Sequence, residues 1–487
     1  MTTSFEVIQK DRKEKLEELK KLGITPYPPK IKLSGELIKI SQARKALGKK
    51  VLVAGRIWSL RKHGGVVFVD LKDGSGKIQL LLQKKKLGKA FDQFSLIDVA
   101  DFFAAKGKVI KTPAGETTVD VEEYQLLSKA IRVLPSKWYG LKDVEERYRQ
   151  RYVDLLLNED VLKVFITRTE VIKYLRKYLD DYGFLEVETP ILQSIYGGAL
   201  AKPFITHHNA LDCDFYLRIS DELYLKRLIV GGIEKVYEIG KDFRNEGMDR
   251  AHNPEFTMLE FYWAYVDYEY LMKFTESMLA NLVKQLFGTT KVSYQGKNLD
   301  FAPPWPRITY REAILKETGI DIDEADTEEK IFSEIKKKKI EIEKRGIVGY
   351  GATLDALYKK TTRPKLVGPL FLTERPTEFV TLAKRTPNDP RKTASFQLLV
   401  AGEEVINAYN ELNDPQDQAE RWRESEKLGK KGKEEHEAFD EDYIRALEYG
   451  MPPTAGWGMG IDRLTAILTN QPTLKDTIIF PTLRPEK

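Results

Sequence analysis

The chain has 487 residues, of which 42% are hydrophobic and 31% charged, with a single cysteine, Cys213. At roughly 150 residues per domain that length calls for about three units, and the composition excludes a disordered or collagen-like chain, while one cysteine excludes an internal disulfide and a four-cysteine zinc site and points to a reducing cytoplasm. No apolar run approaches the roughly 18 residues that cross a bilayer, the N-terminus lacks a basic-then-apolar signal pattern, and charge is uneven: residues 1–150 carry 31 basic and 18 acidic side chains, which leaves the rest at −8 of a total of +5.

Residues 11–22 suit an exposed helix with a thin stripe of Leu16, Leu19 and Leu22. From Val51 the period becomes two. Strands are predicted over 51–58, 66–71, 77–82, 102–111 and 117–127, separated by turns at His63-Gly-Gly65, Asp73-Gly-Ser-Gly76 and Pro113-Ala-Gly115. Five short strands with a long third connection fit a small barrel of the oligonucleotide-binding type, with a sandwich as the competing arrangement. A linker is expected near 135–142. Helical spacing follows over 161–182, stopped by Gly183, and strands over 236–243 and 255–266 bracket a polar loop. Residues 307–365 read as a charged helical insertion, and the Lys336–Lys339 run as a solvated face. Strands resume near Lys365 and over 395–409. A glycine-rich turn, a helix and a proline-rich tail end the chain.

Four constellations carry candidate chemistry. Arg244 and Glu246 precede a polar loop, and Phe256, Met258, Glu260 and Tyr262 share one face of the returning strand. An arginine, an aromatic plate and acids on one hairpin suit an adenine nucleotide; a surface Arg–Glu ladder over a packed Phe has the same spacing. Gly456, Gly458 and Gly460 precede a helix with Arg463 in its first turn. A cation is out of place there unless it holds an anion, although glycines also permit close packing. Glu404, Asn407 and Glu411 offer acids for Mg²⁺ or a cationic substrate. On a plain strand Glu404 faces away from the other two unless a bulge intervenes. On the barrel, Phe68 and Gln79 lie outside if Ile78, Leu80 and Leu82 are core, and with Arg61 they form a platform for an unpaired base. Phe68 as ordinary core is the plainer alternative.

Together these segments resemble class II lysyl-tRNA synthetases over nearly the whole chain, from about Val51 to Phe480. Gly183-Phe-Leu-Glu-Val-Glu-Thr-Pro190, Phe243-Arg-Asn-Glu246 with 252–260, and Gly458-Met-Gly-Ile-Asp-Arg463 are similar to the three class II motifs. Gly197-Gly-Ala199, Pro203–Asn209, Arg218–Arg227 and Glu411-Leu-Asn-Asp414 resemble the lysine branch. The resemblance implies an α+β fold, an antiparallel β-sheet catalytic core with helices (141–487) behind an N-terminal OB-fold barrel (51–140) and a helical extension (1–50). It implies a cytoplasmic homodimer that uses ATP, L-lysine, Mg²⁺ and lysine tRNA. Arg244 would contact the α-phosphate, Glu246 the adenine amine, and Phe256 would stack on adenine. His252 and Asn253 would belong to the ATP loop, and Arg463 would hold the γ-phosphate. Glu404 would bind Mg²⁺. Gly198 and Glu222 would take the α-amino end of lysine, and Glu260, Tyr262, Asn407 and Glu411 its ε-ammonium. Arg61, Phe68 and Gln79 would read the central anticodon uridine. One position departs: where the family usually carries a second Mg²⁺-site glutamate, this chain has Gln397, a neutral oxygen donor. Two alternatives share the core. A lysine ligase acting on elongation factor P would lack the barrel, and a non-catalytic tRNA-binding paralogue would have lost motif residues.

Overall fold

A computed structural model describes residues 4–135, 141, 143–342, 349–430 and 438–486. Most of the expected linker at 135–142 lies outside the described residues. The chain divides into two compact units near Leu141.

The first unit opens with α1 (Ser4–Lys21) and continues with β1 (Lys50–His63), β2 (Val66–Asp73), β3 (Gly76–Gln83), β4 (Phe102–Lys111) and β5 (Thr117–Ser128). These five strands close into a barrel in the order β1-β2-β3-β5-β4. Closure leaves no open sheet edge. The alternation expected from the sequence holds: Val67, Val69, Leu71, Ile78, Leu80 and Leu82 are buried inside, and Phe68 and Gln79 face out. The N-terminal helix is less free than its thin stripe suggested. Leu19 is fully buried in the barrel core with Ile40 and Ala43, whereas Leu22 is exposed. Arg12 is also buried, donating to the carbonyls of Ala130, Arg132 and Val99 at 3.1, 3.0 and 2.9 Å.

The second unit is built on one eight-stranded sheet. In chain order its parts are α2 (Glu159–Asp181), β6 (Leu185–Glu186), α3 (Glu222–Val230), β7 (Lys235–Phe243), β8 (Glu255–Ala264), α4 (Tyr268–Phe287), β9 (Arg307–Thr309), β10 (Leu370–Thr373), β11 (Ser395–Val400), β12 (Glu403–Asn410), β13 (Thr454–Gly460) and α5 (Ile461–Leu468). The strand order is β9-β10-β11-β12-β13-β8-β7-β6. The five central pairings are antiparallel as expected, but both edge pairs, β9/β10 and β6/β7, are parallel. The expected insertion therefore does not begin as helix. Its first three residues are an edge strand of the main sheet, and three helices (Tyr310–Thr318, Glu328–Lys337 and Tyr350–Thr361) follow it.

The glycine-rich segment 454–460 is likewise a strand, not a turn. Alternate glycines are poor strand formers alone, but here β12 and β8 pair with both sides of the segment. Trp457 and Met459 point into the core, where Trp457 stacks on Phe261 with ring centroids 4.8 Å apart. Gly456, Gly458 and Gly460 occupy the other face. Leu259, Phe261 and Trp263 fill the same core from β8. Among the described residues, no helix is long and apolar enough to cross a membrane.

Candidate functional site

The face of the sheet opposite this core carries a cavity of about 320 Å³. Its floor is the glycine row of β13, with a functional strand on each side. Gly456 lies between Tyr262 and Tyr409, and Gly458 between Glu260 and Asn407. A side chain on Gly456 would fall 2.0 Å from Glu411 Oε1 and 2.5 Å from Tyr262 Cε1. The missing side chains are thus what opens the cavity. Phe256, Met258, Glu260 and Tyr262, the face read from the period of β8, all line it.

On β12 a register shift between Leu398 and Leu399 pairs Leu399 with Glu404 while Gln397 pairs with Asn407. The bulge turns Glu404 to the side of Asn407, and both line the cavity. Gln397 is 4% exposed and is not part of the lining. Arg244, Glu246, His252 and Asn253 come from the loop between β7 and β8, and Arg463 from the first turn of α5. The Arg244 guanidinium lies 5.0 Å from the centre of the Phe256 ring. His252 Nδ1 lies 2.9 Å from Asp249 Oδ1, and Asn253 Nδ2 donates to the Glu255 carbonyl at 2.5 Å. Arg463 donates to the carbonyls of Glu404 and Ala251. Burial pushes its guanidinium pKa down, against the pull of Glu404 and Glu403. A phosphate would restore the stabilisation that burial removes.

The other end of the cavity is acidic. Gly198, at φ +85°, brings its backbone against Ser220 and Glu222. Glu260 accepts from Tyr262 Oη at 3.1 Å and Ser220 Oγ at 3.3 Å. Burial first, then Asp242, pushes its pKa up to about 7. Glu222 accepts from Tyr409 Oη at 2.7 Å. Glu411 is not brought to the cavity with the others. It stands behind the wall, 2% exposed, in contact with Lys226 Nζ, which also bonds Glu222 at 2.5 Å. Burial alone would lower the Lys226 pKa, but the two carboxylates reverse this and hold its proton firmly. Sequence reasoning passed over Lys226, Ser220 and Tyr409. Two of them had a local signal: Tyr409 is in phase with Asn407 on β12, and Lys226 is one helical turn after Glu222.

On the barrel, Arg61 and Phe68 are register partners on β1 and β2, and Asp70 faces Gln79 across β2 and β3. Thr118 Oγ1 donates to Gln79 Oε1 at 2.9 Å, which orients the amide. Arg61 is 3.8 Å from Asp70 and its side chain is 54% exposed. The three residues therefore share one outer face.

A family model for class II tRNA synthetases (D, K and N) matches residues 143–484, and one for the OB-fold nucleic acid binding domain matches 51–127. A lysine–tRNA ligase of Pelotomaculum thermopropionicum is 46% identical over 98% of this chain and 94% of its own length. Those of Moorella thermoacetica and Clostridium novyi are 46% and 47% identical over 98% and 99% of this chain, and over 97% and 96% of their own lengths. The chain belongs to the lysine–tRNA ligase family. Its family relatives match across the barrel as well as the catalytic unit, and this speaks against a barrel-less lysine ligase.

Proposed function

We propose that this chain activates L-lysine with ATP and transfers it to lysine tRNA. One continuous cavity, with arginines and an aromatic plate at one end and buried acids at the other, carries the reading. Arg244 and Arg463 would hold the α- and γ-phosphates, Phe256 would stack on adenine, and Glu246 would accept from its amine. His252 and Asn253 would shape the loop over the nucleotide. Glu222 with Gly198 would receive the α-ammonium, and Glu260, Tyr262 and Asn407 the ε-ammonium. Glu411 would act from behind them through Lys226. A buried ammonium requires such partners.

The substrate carboxylate is ionised at neutral pH, so it attacks the α-phosphorus without a general base. The bond to the β-phosphate oxygen breaks and pyrophosphate leaves. The chain's contribution is alignment and charge stabilisation by the two arginines. Glu404 fits Mg²⁺, because one wall carboxylate beside nucleotide phosphates is a usual Mg²⁺ environment. When bound, Mg²⁺ supplies neutralisation of phosphate charge. Gln397 adds no charge; it shares the sheet face of its register partner Asn407 but is buried and does not line the cavity.

Lysine-dependent ATP–pyrophosphate exchange tests this reading. Robust exchange is expected, and a folded protein with none would sink it. The outer face of Arg61, Phe68 and Gln79 supports anticodon recognition. Phe68→Ala should lower tRNA charging about tenfold or more, the usual worth of one stacked base, with exchange unchanged. Equal loss of both would reject the assignment. Leu185, Ile191, Leu192 and Ile205 are exposed apolar residues beside the first motif. They support a second copy of the chain as partner, and sedimentation mass reads this out.

A further inference from the structure

Beneath the acidic end of the cavity, three carboxyl groups meet. One oxygen from each of Asp221, Asp242 and Glu260 lies within 4.8 Å of the others, and the residues are 0%, 1% and 7% exposed. Adjacent buried anions require protons or cations, and their donors tell the three apart. Asp242 has Arg218 Nε at 3.2 Å. Glu260 has the hydroxyls of Tyr262 and Ser220. Among the described residues no donor reaches either oxygen of Asp221. Asp242 Oδ2 also lacks a donor among the described residues. Protonation gives Asp221 a hydrogen bond of its own, and Glu260 is the neighbour placed to accept it.

We infer that Asp221 is held as a neutral carboxylic acid whose hydroxyl donates to Glu260 and positions that carboxylate for the substrate's ammonium. Asp221 does not line the cavity, so it is a positioning residue that acts through Glu260. The groups around it favour the neutral form. Glu260 faces it from β8, and Asp242 and Glu238 from β7; Arg218, the cation of the cluster, attracts Asp221 as well, but its hydrogen-bonding nitrogens are taken by Glu238 at 2.6 Å and Asp242 at 3.2 Å. Burial, then Glu260 and Asp242, drives the Asp221 pKa well above the carboxylate range. A protonated Asp221 in turn stabilises ionised Glu260.

The kinetic arm of the test rests on the proposed lysine contact of Glu260, but the spectroscopic arm does not. Difference infrared spectra of the parent and Asp221→Asn should show one protonated-carboxyl C=O band lost in the variant, without any substrate. In lysine-dependent exchange, Asp221→Asn keeps a donor and should keep a lysine KM near the parent's. Asp221→Leu should raise that KM about tenfold or more, the worth of a hydrogen bond to a charged group, and leave kcat and the ATP KM nearly unchanged. The lysine KM of both proteins should rise at alkaline pH as the substrate's own ammonium groups lose their protons, and the parent's should rise more steeply than that of Asp221→Asn, because only the parent also loses the Asp221 proton. The inference is overturned if no band is lost, if the asparagine and leucine variants are equally impaired, or if both match the parent. If Asp221→Leu fails to fold, the band and the pH profile of Asp221→Asn decide. A parent without lysine-dependent exchange would instead reject the ligase reading and leave the infrared result standing.

Discussion

Lys226→Met should destabilise the catalytic unit by about 3–5 kcal/mol, the usual cost of removing one partner from a buried ion pair. The Lys226 ammonium is fully buried and touches Glu222 and Glu411. The rings of Tyr262 and Tyr409 lie 5.9 and 5.6 Å from it. Methionine preserves most of the volume and removes only the charge. Glu222 would keep the Tyr409 hydroxyl, but among the described residues neither oxygen of Glu411 has another hydrogen-bond partner. The penalty should therefore concentrate on Glu411, and the double variant Lys226→Met/Glu411→Gln should recover much of the loss. Urea unfolding followed by tryptophan fluorescence checks both. A single variant as stable as the parent would mean that the two carboxylates find other partners. In the proposed reading substrate lysine would enter a pocket whose acids already hold one ammonium, so Lys226 would also limit how many negative charges are left for the ligand.

The residues that were legible in the sequence are those whose geometry is local. Period two puts Phe256, Met258, Glu260 and Tyr262 on one face whatever the strand pairs with, and all four line the cavity. The barrel strands were legible for the same reason. What depended on a partner strand was not. Glu404 joins Asn407 only through the bulge against β11, a matter of register between two strands. The segment 454–460 is a strand because β8 and β12 pair with it, and its own composition argues against that. The parallel pairing at both sheet edges leaves no trace in periodicity. The ion pair of Lys226 with Glu411 joins α3 to the residue after β12, and no spacing rule links two such distant positions. Arg12 looked like one more solvated cation in a charged helix until the barrel supplied three carbonyls.

Gly456→Ala should abolish lysine activation while the neighbouring Gly458→Ala should be far milder, although both residues stand on the same floor. At Gly456 the added carbon would meet Glu411 Oε1 at 2.0 Å and Tyr262 at 2.5 and 2.9 Å. Glu411 is held by Lys226, and Tyr262 is 3% exposed. Neither can retreat into solvent. The ring of Tyr262 must then tilt into the acidic end of the cavity, the proposed lysine site, and carry its hydrogen bond to Glu260 with it. Misplacing a positioning group by about 1 Å costs on the order of a hundredfold in rate, and here two move together. At Gly458 the nearest atoms are Met258 Cε at 3.4 Å and Glu260 Cγ at 3.5 Å, ordinary contacts beside a flexible methionine end. Exchange kinetics with both variants, alongside their thermal unfolding, separate pocket loss from misfolding. Equal activity of the two would show that the glycine row does not shape the lysine site, and the sheet floor would then serve packing alone.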